Sequence, residues 1–161
     1  MIMQDHQIMK NETTSVSQKM ILWLFLSLAF FLMVEDIHRL TNRKTLEERI
    51  GLHQVIVSGE SAPPYRYRIL VHYGGEWFIQ RLTTQLPYAT AFWITYAMYY
   101  FLVIYLMFNV SFMYFTIWLD DTVALIGVLY IGITLAVGFR HQFYPYSFLE
   151  VVLFTLFYRQ P

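Results

Sequence analysis

The side chains best suited to chemistry in this sequence are a carboxylate pair and a pair of arginines. Glu35 and Asp36 directly follow an apolar run, and Arg66 and Arg68 alternate with tyrosines further along the chain. A carboxylate pair can act as a general base or hold a divalent cation, and guanidinium groups can clamp phosphate through charge-assisted, bidentate hydrogen bonds. Together these residues predict a site for a substrate that carries phosphate.

Further polar residues belong to the same expected site. They are Arg140, as a third phosphate ligand, and His38, His141, Tyr144 and Glu150, as an additional polar group. All except Glu150 fall on one membrane face, because an even number of crossings separates them. Glu150 lies in an apolar segment, where an ionisable group is costly and usually faces a cavity or a partner.

Each of these residues also has a plainer interpretation. Glu35 and Asp36 can simply be the polar residues that end a membrane helix. Arg66 and Arg68, with their tyrosines, can anchor the chain among lipid headgroups. The histidines show no pairing at the spacing of ligands on one helix, so a His-x-x-His zinc or di-iron site is not expected. The only cofactor that stays open is a divalent metal ion on the carboxylates.

Composition indicates a protein of the lipid bilayer. Of the 161 residues, 57% are hydrophobic and only 14% are charged, whereas an ordinary soluble domain has roughly 25% charged residues. The charges cancel at neutral pH, so no basic field indicates a nucleic-acid partner. The sequence has no cysteine, which excludes disulfides, thiolate metal sites and cysteine nucleophiles.

The apolar runs predict an all-α, polytopic protein with three or four transmembrane helices. The expected parts are a short flexible head at 1–19, a first transmembrane helix at 20–34, a polar loop with interfacial helices at 35–87, and a hydrophobic region at 88–161 with spans at about 88–108, 121–138 and 144–159. The basic head before the first run also fits a signal peptide, but no small-residue cleavage site precedes Glu35, which favours an uncleaved anchor. The distribution of lysine and arginine leaves the orientation open.

Individual residues predict where the last helices begin and turn. Pro87 suits the first turn of the helix at 88–108, and Asn109 and Ser111 are expected to reorient the chain after it. Asp120 and Asp121 are good caps for the next helix. A spanning segment seldom finishes as abruptly as the final one does at Pro161, which favours a chain that continues beyond it.

Two short helices are expected in the polar loop, at 37–52 and 67–86. Gly74–Gly75 should weaken or bend the second one. Its apolar stripes are Leu70, Tyr73 and Trp77 on one line and Phe78, Leu82 and Leu86 on a neighbouring one.

The order of these parts resembles the amino-terminal part of polytopic C-fold (GT-C) glycosyltransferases and of bacterial membrane proteins related to them. The likeness rests on the run from Tyr65 to Leu70, Tyr-Arg-Tyr-Arg-Ile-Leu, and on Tyr144–Pro145–Tyr146 before a helix. It implies an extracytoplasmic loop, an acidic residue of the kind at Glu35 or Asp36 as base or metal ligand, and a polyprenyl-phosphate sugar as donor. The chain departs from these relatives in its smaller number of spans and in Ser147, where many of them have aspartate.

The sequence therefore predicts a multi-pass protein of the bacterial inner membrane that transfers a sugar from a lipid-linked phosphate. Two other classes stay open. One is a non-enzymatic membrane subunit that packs against partner subunits. The other is a transporter fragment, which would need Glu150 beside a water-filled path.

Overall fold

The computed structural model describes residues 2–40, 43–60, 69–138 and 152, and these ranges contain helices and turns without any strand. The helices are α1 (Ile2–Leu40), α2 (Arg43–Val57), α3 (Ile69–Leu82), α4 (Tyr88–Phe115) and α5 (Asp121–Gly138). The expected all-α class is confirmed for this part of the chain.

Two helices are long and apolar enough to cross a membrane, judged by length and composition. They are the segment Gln18–His38 of α1 and the whole of α4. Only 17% of the α1 segment is buried against the rest of the described chain, compared with 56% of α4. The apolar helix α5 is shorter. Most of the α1 segment therefore presents apolar side chains outwards.

The larger hydrophobic core joins α1, α4 and α5. Its buried members are Phe25, Ala29 and Leu32 of α1, Tyr100, Val103, Ile104, Met107 and Phe108 of α4, and Val128 and Leu135 of α5, together with Val152. The spacing of the α1 residues places them on one face of the helix. The ring of Phe25 lies 6.0 Å from that of Phe108 and 5.7 Å from that of Phe112.

Glycines of α5 set how closely the three helices approach. A Cβ atom at Gly132 would lie only 2.8 Å from Leu28 Cδ2 and 3.5 Å from the ring of Phe108, and one at Gly127 would lie 3.0 Å from the ring of Phe115. The later glycine, Gly132, meets the earlier phenylalanine, Phe108, so α4 and α5 run antiparallel. The end of α5 therefore lies beside the earlier part of α4.

A second, smaller core joins α2, α3 and the beginning of α4. We call this part of the molecule the α2–α3 layer. Its buried apolar residues are Ile79, Ala91, Phe92 and Tyr96, against which Leu46, Ile50, Leu82, Tyr88 and Trp93 pack. The helix α2 begins three residues after α1 ends, and Leu46 in the first turn of α2 packs near the start of α4. The end of α1 is therefore close to the start of α4, so the two helices run antiparallel. The end of α1 and the start of α4 thus lie at the same end of the molecule.

The expected cap at Asp120 is confirmed. Its Oδ1 accepts hydrogen bonds from the backbone N–H groups of Thr122 (3.0 Å) and Val123 (3.1 Å), which are donors left unpaired at the start of a helix. Asp121 is the first residue of α5, where its charge suits the helix dipole. The helix ends at Gly138, as the sequence predicts.

The start and length of α4 differ from expectation. Pro87 lies before the first turn and not within it, because its ψ of 145°, with φ −56°, is extended and not helical. Its carbonyl accepts the first helical hydrogen bond, from Ala91 N (3.0 Å). The reorientation expected at Asn109 and Ser111 is wrong. The Asn109 side chain donates to the carbonyl of Tyr105 (2.7 Å), so its amide is satisfied inside a helix that continues to Phe115.

The first helices also have different bounds from those expected. The helix α1 begins at Ile2 and runs to Leu40, so the expected head, the first apolar run and the carboxylate pair all belong to one helix. In the loop, α2 begins at Arg43 and not at residue 37. The span expected at 144–159 lies outside the described residues apart from Val152.

The buried face of α3 coincides with neither predicted apolar stripe, although Leu82 of the second stripe packs on the smaller core. Tyr73, Trp77 and Phe78 are 50%, 55% and 56% exposed, whereas Ile79 and His72 are fully buried. The helix passes Gly74 and Gly75 without a break. The inner face of α3 therefore combines His72 with the apolar Val71 and Ile79, and large aromatic residues lie on its outer face.

Candidate functional site

Three of the predicted site residues lie at the end of α1. Glu35 and Asp36 are partly buried and His38 is exposed, and all three interact with other groups of the protein. Because α1 runs antiparallel to α4, this group lies at the end of the molecule that carries the α2–α3 layer. The carboxylate pair is thus close to the only part of the described chain in which polar side chains form a buried cluster.

The remaining predicted residues lie outside the described residues. They are Arg66, Arg68, Arg140, His141, Tyr144 and Glu150. The helix ends next to them are described, however. The helix α3 begins at Ile69, one residue after Arg68, and α5 ends at Gly138, two residues before Arg140. The helix α3 belongs to the α2–α3 layer, and the antiparallel packing of α5 on α4 directs the end of α5 towards that layer.

A buried polar cluster, which the sequence analysis missed, joins the three helices of the α2–α3 layer. We call it the histidine–tyrosine cluster. It consists of His53 of α2, His72 and Glu76 of α3, and Tyr88 and Tyr96 of α4. Both histidines are fully buried and Tyr96 is 2% exposed. Polar groups buried to this extent are stable only when they satisfy one another.

Three atoms at the centre of this cluster form a triangle. The Tyr96 hydroxyl lies 2.8 Å from His53 Nδ1 and 3.1 Å from His72 Nδ1. The two Nδ1 atoms lie 3.2 Å from each other. Each edge is thus within hydrogen-bonding distance, and each corner comes from a different helix.

Glu76 orients one corner of the triangle. Its Oε2 lies 2.8 Å from His53 Nε2 and accepts a longer hydrogen bond from the Tyr88 hydroxyl (3.3 Å). Its Oε1 accepts from the side chain of Gln80 (3.2 Å). Because a carboxylate only accepts, the proton on His53 belongs on Nε2. Nδ1 of His53 then faces the triangle as a lone pair.

Burial keeps the second histidine neutral. Loss of solvent and, to a smaller extent, the neighbouring His53 lower the pKa of His72 to about 4. A neutral imidazole at physiological pH carries a single ring proton, so His72 can either donate or accept at the triangle.

The backbone of α3 allows Tyr96 to reach the cluster. A Cβ atom at Gly75 would lie 3.3 Å from the Tyr96 hydroxyl oxygen, whereas one at Gly74 would meet nothing within 4 Å. The Tyr96 ring also packs on Phe92 at 4.7 Å, and Phe92 in turn meets the edge of His53. Gly75 is therefore the position at which a small residue is needed.

The cluster was missed because its two histidines come from different helices. His53 and His72 are 19 residues apart in the sequence, too far to form a pair at ligand spacing on one helix. Their spacing gives a signal of burial. His53 shares a helix face with Ile56, and His72 shares one with Gly75 and Ile79. All of these positions are buried. A histidine that shares a helix face with buried apolar residues is therefore a candidate for a buried hydrogen bond with another helix.

Among the described residues, no three histidine, aspartate or glutamate side chains form a group that could hold a metal ion. No protein family, curated protein or solved structure matches this chain. Its function must therefore be argued from its own residues.

Proposed function

We propose that this chain is a multi-pass membrane protein in which α1, α4 and α5 cross a bilayer. The support is the outward apolar surface of these helices. The side chains of Trp23, Phe31, Ile126, Tyr130 and Ile133 are all at least 60% exposed. Contiguous apolar patches of this kind are rare on soluble proteins and cost nothing against lipid tails. The 21-residue segment of α1 is about 31 Å long, close to a hydrocarbon core of about 30 Å.

The length of α4 sets the position of the α2–α3 layer. Its 28 residues extend over about 42 Å, roughly 12 Å more than the hydrocarbon core. Ala91 and Phe92, in its first turns, pack into the layer. The excess length therefore projects from the bilayer, and the layer lies at one membrane boundary together with Glu35 and Asp36.

At this boundary the protein binds a lipid-linked phosphate and transfers the sugar that it carries. One observation supports this function above others. The Glu35–Asp36 pair lies near the end of α1, beside the α2–α3 layer. This layer includes α3, which directly follows Arg66 and Arg68, and α5 runs towards it before Arg140. We expect the arginines next to these helix ends to share one surface with the carboxylates.

The transfer can be written with these residues in defined roles. Asp36 or Glu35 takes the proton of an acceptor hydroxyl, or holds a divalent metal ion that polarises it. The acceptor oxygen bonds to the anomeric carbon as the bond between that carbon and the phosphate oxygen breaks. The electron pair stays on the lipid phosphate, whose charge Arg66 and Arg68 stabilise.

The test is sugar transfer by the intact protein in liposomes that contain a polyprenyl-phosphate sugar. Asp36→Asn should lower the rate by about 10²- to 10⁴-fold, the usual contribution of a general base, and Arg66→Ala should also lower it. Asp121→Asn and Arg81→Ala are matched controls elsewhere in the chain and should keep the wild-type rate. Undiminished transfer in both Asp36→Asn and Arg66→Ala would exclude this function.

A non-enzymatic membrane subunit is the second candidate, and one observation favours it. Only 17% of the α1 segment is buried, which leaves a face that includes Trp23 and Phe30 open to a partner helix. This function predicts a stoichiometric complex that native mass spectrometry detects in nanodiscs prepared from the source membrane. Replacing Trp23 and Phe30 with leucine should dissociate it, whereas Asp36→Asn should not. A chain that is isolated alone would exclude this candidate.

A further inference from the structure

The triangle in the histidine–tyrosine cluster has three short interatomic distances, but its atoms supply protons for only two hydrogen bonds. With His53 protonated on Nε2 towards Glu76, its Nδ1 brings no proton, so only the Tyr96 hydroxyl and His72 Nδ1 can supply one. A ring nitrogen is either a donor or an acceptor at one moment. The three edges measure 2.8, 3.1 and 3.2 Å. Two linear hydrogen bonds can form along them, and one edge is left without a proton.

A cation at the centre would use all three edges at once. We propose that His53 Nδ1, His72 Nδ1 and the Tyr96 phenolate oxygen bind one divalent first-row transition-metal ion. In a tetrahedral site with metal–ligand distances of about 2.0 to 2.1 Å, neighbouring ligand atoms lie about 3.3 Å apart. The observed edges are shorter by a few tenths of an ångström, so small side-chain shifts bring all three atoms to bonding distance. A fourth position is left for a solvent or substrate atom.

The surroundings of the triangle match those of bound metals. A histidine ligand usually donates its other ring N–H to a carboxylate, which fixes its tautomer and orientation. Glu76 has this position, 2.8 Å from His53 Nε2. His53 and His72 are both fully buried, so solvent does not compete for their ring nitrogens. The third donor is a phenol, so the site differs from groups built only of histidine and carboxylates.

Charge also balances in this site. A divalent ion brings two positive charges, and the Tyr96 phenolate and the Glu76 carboxylate bring two negative ones. In the metal-free state Tyr96 and His72 Nδ1 each hold a proton towards the triangle. On binding, the phenol proton leaves to solvent and the imidazole proton of His72 moves to Nε2. One proton is therefore released for each ion bound, and the net charge of the buried site changes from −1, on Glu76, to zero.

Imidazole and phenolate ligands favour copper and zinc over magnesium and calcium. The direct test uses the full chain in nanodiscs, treated with a chelator, dialysed, and titrated with Cu²⁺, Co²⁺ and Zn²⁺. We expect one ion per chain, with affinity in the order Cu²⁺ above Zn²⁺ and Co²⁺. Cu²⁺ should produce a phenolate-to-metal charge-transfer band. Affinity should rise about tenfold per pH unit near neutrality, because one proton leaves per ion.

Variants localise the ion. His53→Ala and His72→Ala should each abolish stoichiometric binding, and Tyr96→Phe should remove the charge-transfer band and weaken binding at least tenfold. Glu76→Gln, which keeps an acceptor but removes its charge, should weaken binding about 10- to 100-fold. Tyr105→Phe and Tyr130→Phe are matched controls outside the cluster, and both should bind as the wild type does. Circular dichroism of each variant checks that the helices are retained.

The site is excluded if the wild-type chain binds no stoichiometric ion, or if an ion binds equally well in Tyr96→Phe and both histidine variants. A loss of binding in the control variants that equals the loss in the cluster variants would also exclude it. None of these readouts involves sugar transfer. Failure of the metal site therefore leaves the proposed transferase function untouched, and the reverse also holds.

Discussion

The two cores of this molecule share one helix and differ in what they bury. Along its middle, α4 contributes Val103, Ile104 and Phe108 to a core of aliphatic and aromatic side chains. Near its beginning, the same helix contributes Tyr96 to a core whose centre is the imidazole groups of His53 and His72. The first core is held by apolar packing, which is insensitive to pH. The second depends on hydrogen-bond geometry and on the charge state of its members.

This difference indicates a division of labour along the chain. Apolar contacts tolerate many substitutions of similar volume, whereas a buried polar network fails when one member is removed, because the others lose their partners. The apolar core therefore fixes the arrangement of the long helices. The α2–α3 layer holds the groups that can exchange protons or bind ligands.

The largest expected effect breaks the apolar core. Phe108→Ala removes a fully buried ring that packs on Phe25 and should destabilise the fold by about 3 to 5 kcal/mol. The loss should be the same at pH 5 and pH 7. Unfolding in detergent, followed by circular dichroism, measures it, and Met113→Ala on an exposed site is the control. A loss that varied strongly with pH would contradict the comparison.

The next effect concerns the pH dependence of the α2–α3 layer. The unfolded chain protonates His72 near pH 6.5, but the folded chain does so only near pH 4. The stability from keeping His72 neutral is therefore complete above pH 6.5 and is lost as the pH falls towards 4, with a total of the order of 3 kcal/mol. The titratable groups in contact with His72 are His53 and Tyr96.

Unfolding of the wild type and of His72→Asn, measured from pH 7 to pH 4, checks this dependence. The variant should lose part of the acid sensitivity, and Phe108→Leu should keep all of it. If both variants followed the wild-type pH curve, His72 would not carry the pH dependence.

A pair of glycines gives a smaller and more specific effect. Gly74→Ala should stabilise α3 by about 0.5 to 1 kcal/mol, because alanine favours a helix and its Cβ meets open space. Gly75→Ala should gain less or should destabilise, because its Cβ crowds the Tyr96 hydroxyl at 3.3 Å. Thermal unfolding of the two variants measures the difference. Equal stabilisation would show that Tyr96 does not need the space above Gly75.

An effect of similar size is expected at the far end of the molecule. Asp120→Ala removes the acceptor of two backbone N–H groups at the start of α5 and should cost about 1 kcal/mol. Asp120→Asn retains an acceptor and should cost less. The thermal midpoint at two protein concentrations measures both changes. Metal binding at the histidine–tyrosine cluster should be unaffected, because the cap belongs to the other core.

The sequence predicts those features that depend on local chemistry. The cap at Asp120, the bounds of α5 and the all-α class follow from residues close together in the chain. The faces of α3 do not, because helical periodicity identifies the buried face only where apolar residues mark it. Here Tyr73, Trp77 and Phe78 point outwards and His72 points inwards.

The same reasoning explains what the sequence could not predict of the site. Glu35 and Asp36 stand out because they end an apolar run. The cluster does not stand out, because His53, His72 and Tyr96 meet only after three helices have packed. Their proximity depends on contacts distant in the chain, including the space above Gly75. A single sequence does not encode such contacts in any local pattern.

The central claim is that α1, α4 and α5 cross a bilayer and that the end of α1 shares a membrane side with the α2–α3 layer. The sequence contains no cysteine, so single cysteines can be introduced by His38→Cys, Gln85→Cys and Trp118→Cys and labelled with an impermeant maleimide on intact cells. We predict that His38→Cys and Gln85→Cys are labelled from the same side and Trp118→Cys only from the opposite side. Labelling of all three from one side would contradict the account.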